Sequence, residues 1–244
     1  MEQRNASVAI VGACDFIGAA IVRRFAAGGY RVHGGRRQGE KLRPLEEEIA
    51  DAGGRFTGHT LDARTEEGIA AFLAAAEADA PLAAVIFNVG ANVNFPLLDT
   101  TERVFRKVWE MACYAGFLTG REAARLMLPR GEGSIFFTGA TASLRGGSGF
   151  AAFSAAKFGL RAVAQSAARE LGPRGIHVAH LVIDSGVDTA WVRGRIAERE
   201  GTSAIEPGRL MEPSSIAETY WTLHGQPRDA WTHELDLRPF GEKW

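Results

Sequence analysis

Two glycines, Gly12 and Gly18 in VGACDFIGAAIVRRF, stand where an apolar run gives way to a helical pattern. Glycine lets a backbone turn tightly and approach a ligand closely, and a helix start offers amide hydrogens and the positive end of a dipole. That chemistry suits a pyrophosphate. Glycines also serve such turns for geometry alone, but their place at the first strand-to-helix crossover points to a dinucleotide. Further along, HGGRR puts Gly35 where an acidic residue would hold the ribose hydroxyls of NAD, and Arg36 and Arg37 come next. A guanidinium pairs with phosphate through parallel hydrogen bonds, so the expected cofactor is NADP(H) rather than NAD(H), with Arg36 the nearer contact. Solvated surface charge is the plainer alternative for the two arginines. In GFAAFSAAKFGL, Phe153 and Lys157 are four residues apart and share one helical face. Asn92 and Asn94 in GANVNFP, Cys113 and Tyr114 in MACYAG, and Trp191 in VDTAW are the expected substrate-facing side chains. Loop asparagines more often serve turns, and a buried cysteine is usually a small hydrophobe.

The elements that must position these residues are legible from periodicity. Short apolar runs read as strands: SVAIVG, YRVHGG, FTGHTLD, AAVIFNVG, SIFFTGA, HVAHLVID and HELDLR. Between them lie helical patterns: IGAAIVRRFAAGG, EKLRPLEEEIADAGG, EEGIAAFLAAAEADA, TERVFRKVWEMACYAGFLTGREAARLMLP and AAFSAAKFGLRAVAQSAARELGP. Several of these end in Gly or Pro, as helix stops do. Alternation of this kind makes βαβ units, so the expected fold is a single α/β domain over 1–244. It is a Rossmann-type doubly wound sheet of about seven mainly parallel strands flanked by helices. Ligands then sit beyond the carboxyl ends of the strands. The charged stretch from Thr189 to Pro213 is expected to form a lid.

Composition narrows the partners. With 28 Lys and Arg against 29 Asp and Glu, the net charge of -1 leaves no electrostatic footprint for nucleic acid or an anionic membrane. The expected partners are small molecules and copies of the chain. Cys14 and Cys113 lack the spacing of a metal site, so no metal is expected, and no disulfide either. The N-terminus has no basic region leading into a long apolar stretch, and no segment approaches the roughly 18 apolar residues of a membrane helix. A cytoplasmic protein is the expectation.

From the glycine turn onward, nearly the whole chain resembles the short-chain dehydrogenase/reductase family. That family's turn reads Thr-Gly-x-x-x-Gly-x-Gly, where this chain has Val11, Gly12, Ala13, Cys14, Asp15, Phe16, Ile17 and Gly18. Phe16 therefore stands at the middle glycine, either pointing away or narrowing the site. By the same resemblance Asp62 in TLDAR is expected to contact the adenine. Asn88 and Gly90 in FNVGA match the segment after the fourth strand, and Thr189 matches the threonine that reaches the nicotinamide carboxamide. The resemblance also implies a homodimer or homotetramer formed through the fourth and fifth helices. The aromatic tail after Pro239 is expected to cover a neighbouring subunit.

The resemblance implies a catalytic set as well, and this chain departs from it. The family's tyrosine protonates a carbonyl as hydride arrives, a serine orients the substrate, and a lysine holds the ribose and lowers the tyrosine pKa. Here the tyrosine position is Phe153, the serine position is Ala140, the helix-four asparagine falls on Ala112 or Cys113, and only Lys157 is kept. General acid catalysis is worth about 10²–10⁴ in rate, so ordinary ketone reduction should be crippled. The family's Pro-Gly after the sixth strand is replaced by IDSG, which makes Asp184 a candidate proton carrier or partner for a cationic substrate; a turn or cap aspartate is the plainer alternative. The first reading is an NADP(H)-dependent oxidoreductase whose substrate needs little protonation: an imine or iminium, an activated alkene, or a carbonyl with another proton source. The second is a non-catalytic dinucleotide-binding protein. A dehalogenase of the same fold ranks last, because that branch keeps serine and tyrosine and abandons the glycine turn.

Overall fold

The fold arises from two faces of one sheet, and a computed structural model describes residues 3–242 of it. Along β1 (Ser7–Val11), Val8 and Ile10 enter one apolar core, while Ala9 and Val11 enter the other. This period of two with both sets apolar is what a strand covered on both sides requires. β2 (Arg31–Arg36), β3 (Arg55–Thr60), β4 (Leu82–Phe87), β5 (Gly133–Thr138), β6 (Ile176–Ile183) and β7 (Glu234–Leu237) complete the sheet. Its order is β3-β2-β1-β4-β5-β6-β7, and every pairing is parallel. The α/β doubly wound architecture is therefore the one the alternating pattern implies.

One core lies under α1 (Ile17–Ala27), α2 (Arg43–Asp51) and α8 (Pro213–His224), and includes Ile21, Phe25, Ile49, Phe136 and Tyr220. The other lies under α3 (Glu66–Asp79), α5 (Ala115–Met127) and α6 (Ala151–Leu171), with Leu73, Phe87, Leu118, Phe137 and Leu160. Phe136 and Phe137, adjacent on β5, thus anchor opposite faces, and truncating either to alanine should cost about 3–5 kcal/mol.

α4 (Glu102–Trp109) and α5 are one helical rod joined by a π-helical turn over Glu110–Tyr114. The helix expected over EKLRPLEEEIADAGG begins as a 3₁₀ turn at Gly39–Leu42 and becomes α-helical only at Arg43, with Pro44 in the first turn, where its missing N–H has no helical partner to lose. The stretch after Thr189 is more ordered than a bare lid: α7 (Ala190–Glu200) starts on Thr189 as N-cap and stops at Gly201, whose φ is +69°. Because strand order reverses at β1, a crevice opens beyond Val11 and Phe87, which pair across it.

Candidate functional site

The crevice is shaped by two glycines that no other residue could replace cheaply. Gly12 has φ +93°, and a Cβ there would lie 2.7 Å from the Asn88 carbonyl oxygen. A Cβ on Gly18 would lie 2.5 Å from the Gly12 oxygen, so α1 and β1 meet there backbone to backbone. Gly90 is the reverse case: a Cβ there would meet nothing within 4 Å, so its surface is open space. Asn88 ties the two sides of the crevice together. Its amide N–H bonds Val11 O at 2.8 Å, and its Nδ2 donates to Gly12 O at 3.1 Å. Behind it, the buried Tyr220 and Thr138 hydroxyls are 2.7 Å apart, and Thr138 Oγ1 donates to Asn88 Oδ1 at 3.2 Å, which leaves Tyr220 as donor to Thr138. This relay fixes the asparagine from α8 through β5.

On one side of Asn88 lies a pocket of about 490 Å³, lined by Gly12, Gly35, Arg36, Arg37 and Asp62 among others. Arg36 is held by Asp15 of the glycine turn at 2.8 Å. Asp62 is bound by its neighbour Arg64, whose Nε and Nη2 lie 2.8 and 2.5 Å from the carboxylate. The Arg64 hydrogen bond, against the opposing effect of burial, holds the Asp62 carboxyl below the usual range. Cys14, Leu61, Arg64 and Met111 also line this pocket and carry no sequence signal of their own.

On the other side a larger pocket of about 920 Å³ is lined by Phe16, Ile17, Ala140, Phe153, Lys157, Thr189 and Trp191 among others. Asn88 and Gly90 line both pockets, so the two are continuous across the crevice. Phe16 is 41% exposed and lies at the rim, since it also lines a separate surface hollow beside Arg23 and Arg24. Thr189 spends its hydroxyl on the α7 N-cap, accepting from Val192 N at 3.1 Å.

Lys157 is buried, and its Nζ donates to Thr138 O at 2.8 Å and Val89 O at 3.3 Å. An ammonium has three donors, so one is left over. Burial pushes its pKa down to about 8, opposed by the nearby Cys113. The Phe153 ring centroid lies 5.9 Å from Nζ, on the same helical face.

Several expected residues take other places. Asp184 is 3% exposed, and its carboxylate accepts from Arg238 Nε at 2.8 Å. Burial pushes its pKa up, but hydrogen bonds from Thr141 and Arg238 and the charges of Arg145 and Arg238 outweigh it and hold the carboxyl below its usual range. Asp184 is thus paired with Arg238, and its neighbours Ile183 and Ser185, rather than Asp184 itself, line the larger pocket. Cys113 and Tyr114 do not line the pocket. Cys113 packs its sulfur toward Gly159 in a cluster with Val108, Ala112 and Phe153, and Tyr114 stacks between Trp109 and Phe117 at ring distances of 6.0 and 6.3 Å. From this stretch of the rod it is Met111, within the π turn, and Ala115, just past it, that reach the crevice, and they line the smaller pocket. Asn92 lines the larger pocket, whereas the Asn94 side chain lies against Gly149. Arg145, Phe150 and Ser154 also line it and are visible only in the folded chain.

A parallel doubly wound sheet with a glycine turn at its switch point defines a dinucleotide-binding oxidoreductase fold. The short chain dehydrogenase family model matches residues 6–199, and the chain belongs to that family. It is 59% identical to a short-chain dehydrogenase from Rhodopseudomonas palustris, covering 97% of this chain and 100% of that one, with a TM-score of 0.85. It is 25% identical to an actinorhodin polyketide ketoreductase solved with NADPH, covering 98% of both chains, with a TM-score of 0.87. It is also 32% identical to the cis-4-hydroxycyclohexanecarboxylate dehydrogenase of Sinomonas cyclohexanicum, over 86% of this chain and 85% of that one. The residues present fit a nicotinamide dinucleotide: open space above Gly90, a close-packed turn at Gly12, and a spare Lys157 donor in the larger pocket.

Proposed function

We propose that this protein is an NADP(H)-dependent oxidoreductase acting on a small organic substrate by a route that needs no phenol at position 153. The observation that carries this reading is the pairing of a buried, hydrogen-bonded Lys157 with a hydroxyl-free wall formed by Phe153 and Ala140. The cofactor, when bound, supplies or accepts a hydride. The glycine turn and the first amides of α1 receive its pyrophosphate, since those amides have no partner within the helix. Arg36, with Arg37, receives the extra phosphate, and Lys157 offers its remaining N–H to the ribose. NADPH in the related ketoreductase supports the same choice of cofactor.

The wall above Lys157 selects what can react. Phe153 keeps the shape of a tyrosine and removes its proton, and Ala140 leaves no orphan hydroxyl, so the pair presents an apolar surface with no unmet hydrogen bond. An iminium carbon carries its own electrophilic activation and needs no donor there. An activated alkene, or a carbonyl protonated by water, fits as well.

We further read the whole chain as one domain and the protein as a cytoplasmic homo-oligomer. Phe105, Trp109 and Phe117 along α4 and α5, and Phe158 on α6, are each just over 40% exposed, an apolar stripe suited to pairing with its own copy. Two cysteines without a disulfide suit a reducing compartment.

The test has two arms. NADPH fluorescence titration measures cofactor binding, and failure at millimolar cofactor rejects the reading. NADPH oxidation is then screened against cyclic imines, activated alkenes and ketones. Turnover of imines or alkenes above ketones supports it, while binding with no turnover on a broad panel favours a non-catalytic dinucleotide-binding protein.

A further inference from the structure

The larger pocket is not electrically neutral. The acidic and basic residues lining it are Arg145, Lys157, Arg199 and Glu242. Glu242 is already engaged, accepting from Ser185 Oγ at 2.6 Å. Arg199 donates to Glu200 at 2.7 Å, and Lys157 lies on two backbone carbonyls at the floor. Arg145 differs from all of these. Its ion-pair partner, Asp184, is 3.7 Å away, beyond hydrogen-bond reach, and the other Asp184 oxygen is taken by Arg238 at 2.8 Å. Asp184 therefore steadies the guanidinium without receiving its hydrogens. The Arg145 side chain is 62% exposed, on the turn just past Thr141–Ser143 and close in sequence to the Ala140 wall.

A guanidinium has five donors in a planar fork that matches a carboxylate, and it binds one through parallel charge-assisted bonds. The same pocket is lined by the apolar side chains of Phe150, Phe153, Val187 and Trp191. A ligand that satisfies both ends is amphiphilic in one direction, anionic at the mouth and apolar within.

We infer that the substrate is a compact organic monocarboxylate whose carboxylate is held by Arg145 at the pocket mouth, with its apolar body against Phe150 and Phe153. This rests on the oxidoreductase reading for which atom reacts, but not for how the acid binds. Arg145 is a specificity-determining residue in this account, placed to hold the substrate rather than to move a proton.

The experiment uses the full chain and two probes of equal shape, cyclohexanecarboxylate and its methyl ester, titrated by calorimetry with and without saturating NADPH. The acid is expected to bind at least about ten-fold tighter than the ester at low salt, and to lose that margin as salt screens the pair. Arg145→Gln, on an exposed side chain, should fold normally, keep NADPH affinity within about two-fold, and abolish the preference; Arg145→Lys should keep part of it. Equal binding of acid and ester, binding of neither to the NADPH complex, or a preference that survives Arg145→Gln overturns the inference. Failure of NADPH to bind in the fluorescence arm rejects the oxidoreductase reading instead, whatever the carboxylate does.

Discussion

The ammonium of Lys157 lies 5.9 Å from the centre of the Phe153 ring, one turn along the same face of α6, and no hydroxyl at position 153 stands between it and the pocket. The helix thus sets a buried ammonium beside a hydrocarbon ring. A cation near an aromatic ring is weakly attracted to it, so the substitution need not disturb the lysine.

Restoring the missing hydroxyls is therefore a direct test of geometry. Phe153→Tyr with Ala140→Ser should raise NADPH-dependent reduction of simple ketones by about 10²–10⁴ over the parent. Ketone turnover by stopped-flow absorbance reads the result. A folded double variant that binds NADPH and shows no gain would mean that these two positions do not face the reacting carbon.

Arg36 should set the preference between cofactors. Its hydrogen bond to Asp15 at 2.8 Å holds it across the end of the glycine turn. Arg36→Ala should weaken NADPH about ten-fold or more, the worth of a hydrogen bond between charged groups, and NADH by less than about two-fold. Asp15→Asn, which releases the guanidinium, should tighten NADPH. Equal losses for both cofactors on Arg36→Ala would place that side chain away from the extra phosphate.

Two glycine variants separate folding from binding. Gly12→Ala forces a side chain onto φ +93° and into the Asn88 carbonyl at 2.7 Å, which should cost about 1–3 kcal/mol and lower the melting temperature. Gly90→Ala adds a methyl to open space, since nothing lies within 4 Å. Its melting temperature should match the parent while NADPH affinity falls. If Gly90→Ala leaves affinity unchanged as well, the cofactor does not use that surface.

Burial gives Lys157 a pH signature. Its pKa in the fold is about 8 against an ordinary 10.5, so between those values the unfolded chain binds more proton than the folded one. Stability from this group therefore rises with pH through that window, and the cost of the buried charge is fully present below it. The shift corresponds to roughly 3 kcal/mol. Relative to the parent, Lys157→Met should be favoured most near about pH 7 and should lose up to that amount by about pH 10. Urea melts at the two pH values measure this; parallel curves would show that the lysine titrates normally.

The sheet is legible in the sequence because alternating apolar strands and capped helices leave a strong local imprint, and the Gly12 turn because positive φ admits little besides glycine. The larger pocket is less so. Cys113 and Tyr114 read as substrate-facing, but they fall in a π turn, which a 3.6-residue period does not reveal, and from this stretch Met111 and Ala115 line the smaller pocket instead. Asp184 reads as a carboxyl at the mouth of the site, and its meaning changes with Arg238, a partner 54 residues away that no local pattern links to it. Arg145 carries no signal because its role depends on that same distant pair. Of the C-terminal tail, Lys243 and Trp244 lie outside the described residues, and the described part folds back on its own chain, Gly241 N bonding Gly208 O at 2.9 Å.

Trp191, 61% exposed on the outer wall of the larger pocket, gives the protein a built-in optical gauge. Indole emission overlaps the absorption of a reduced nicotinamide, so a dinucleotide docked over the sheet should quench this tryptophan by resonance energy transfer. Occupancy by the reduced cofactor can then be tracked without a dye, an attached label or catalytic turnover.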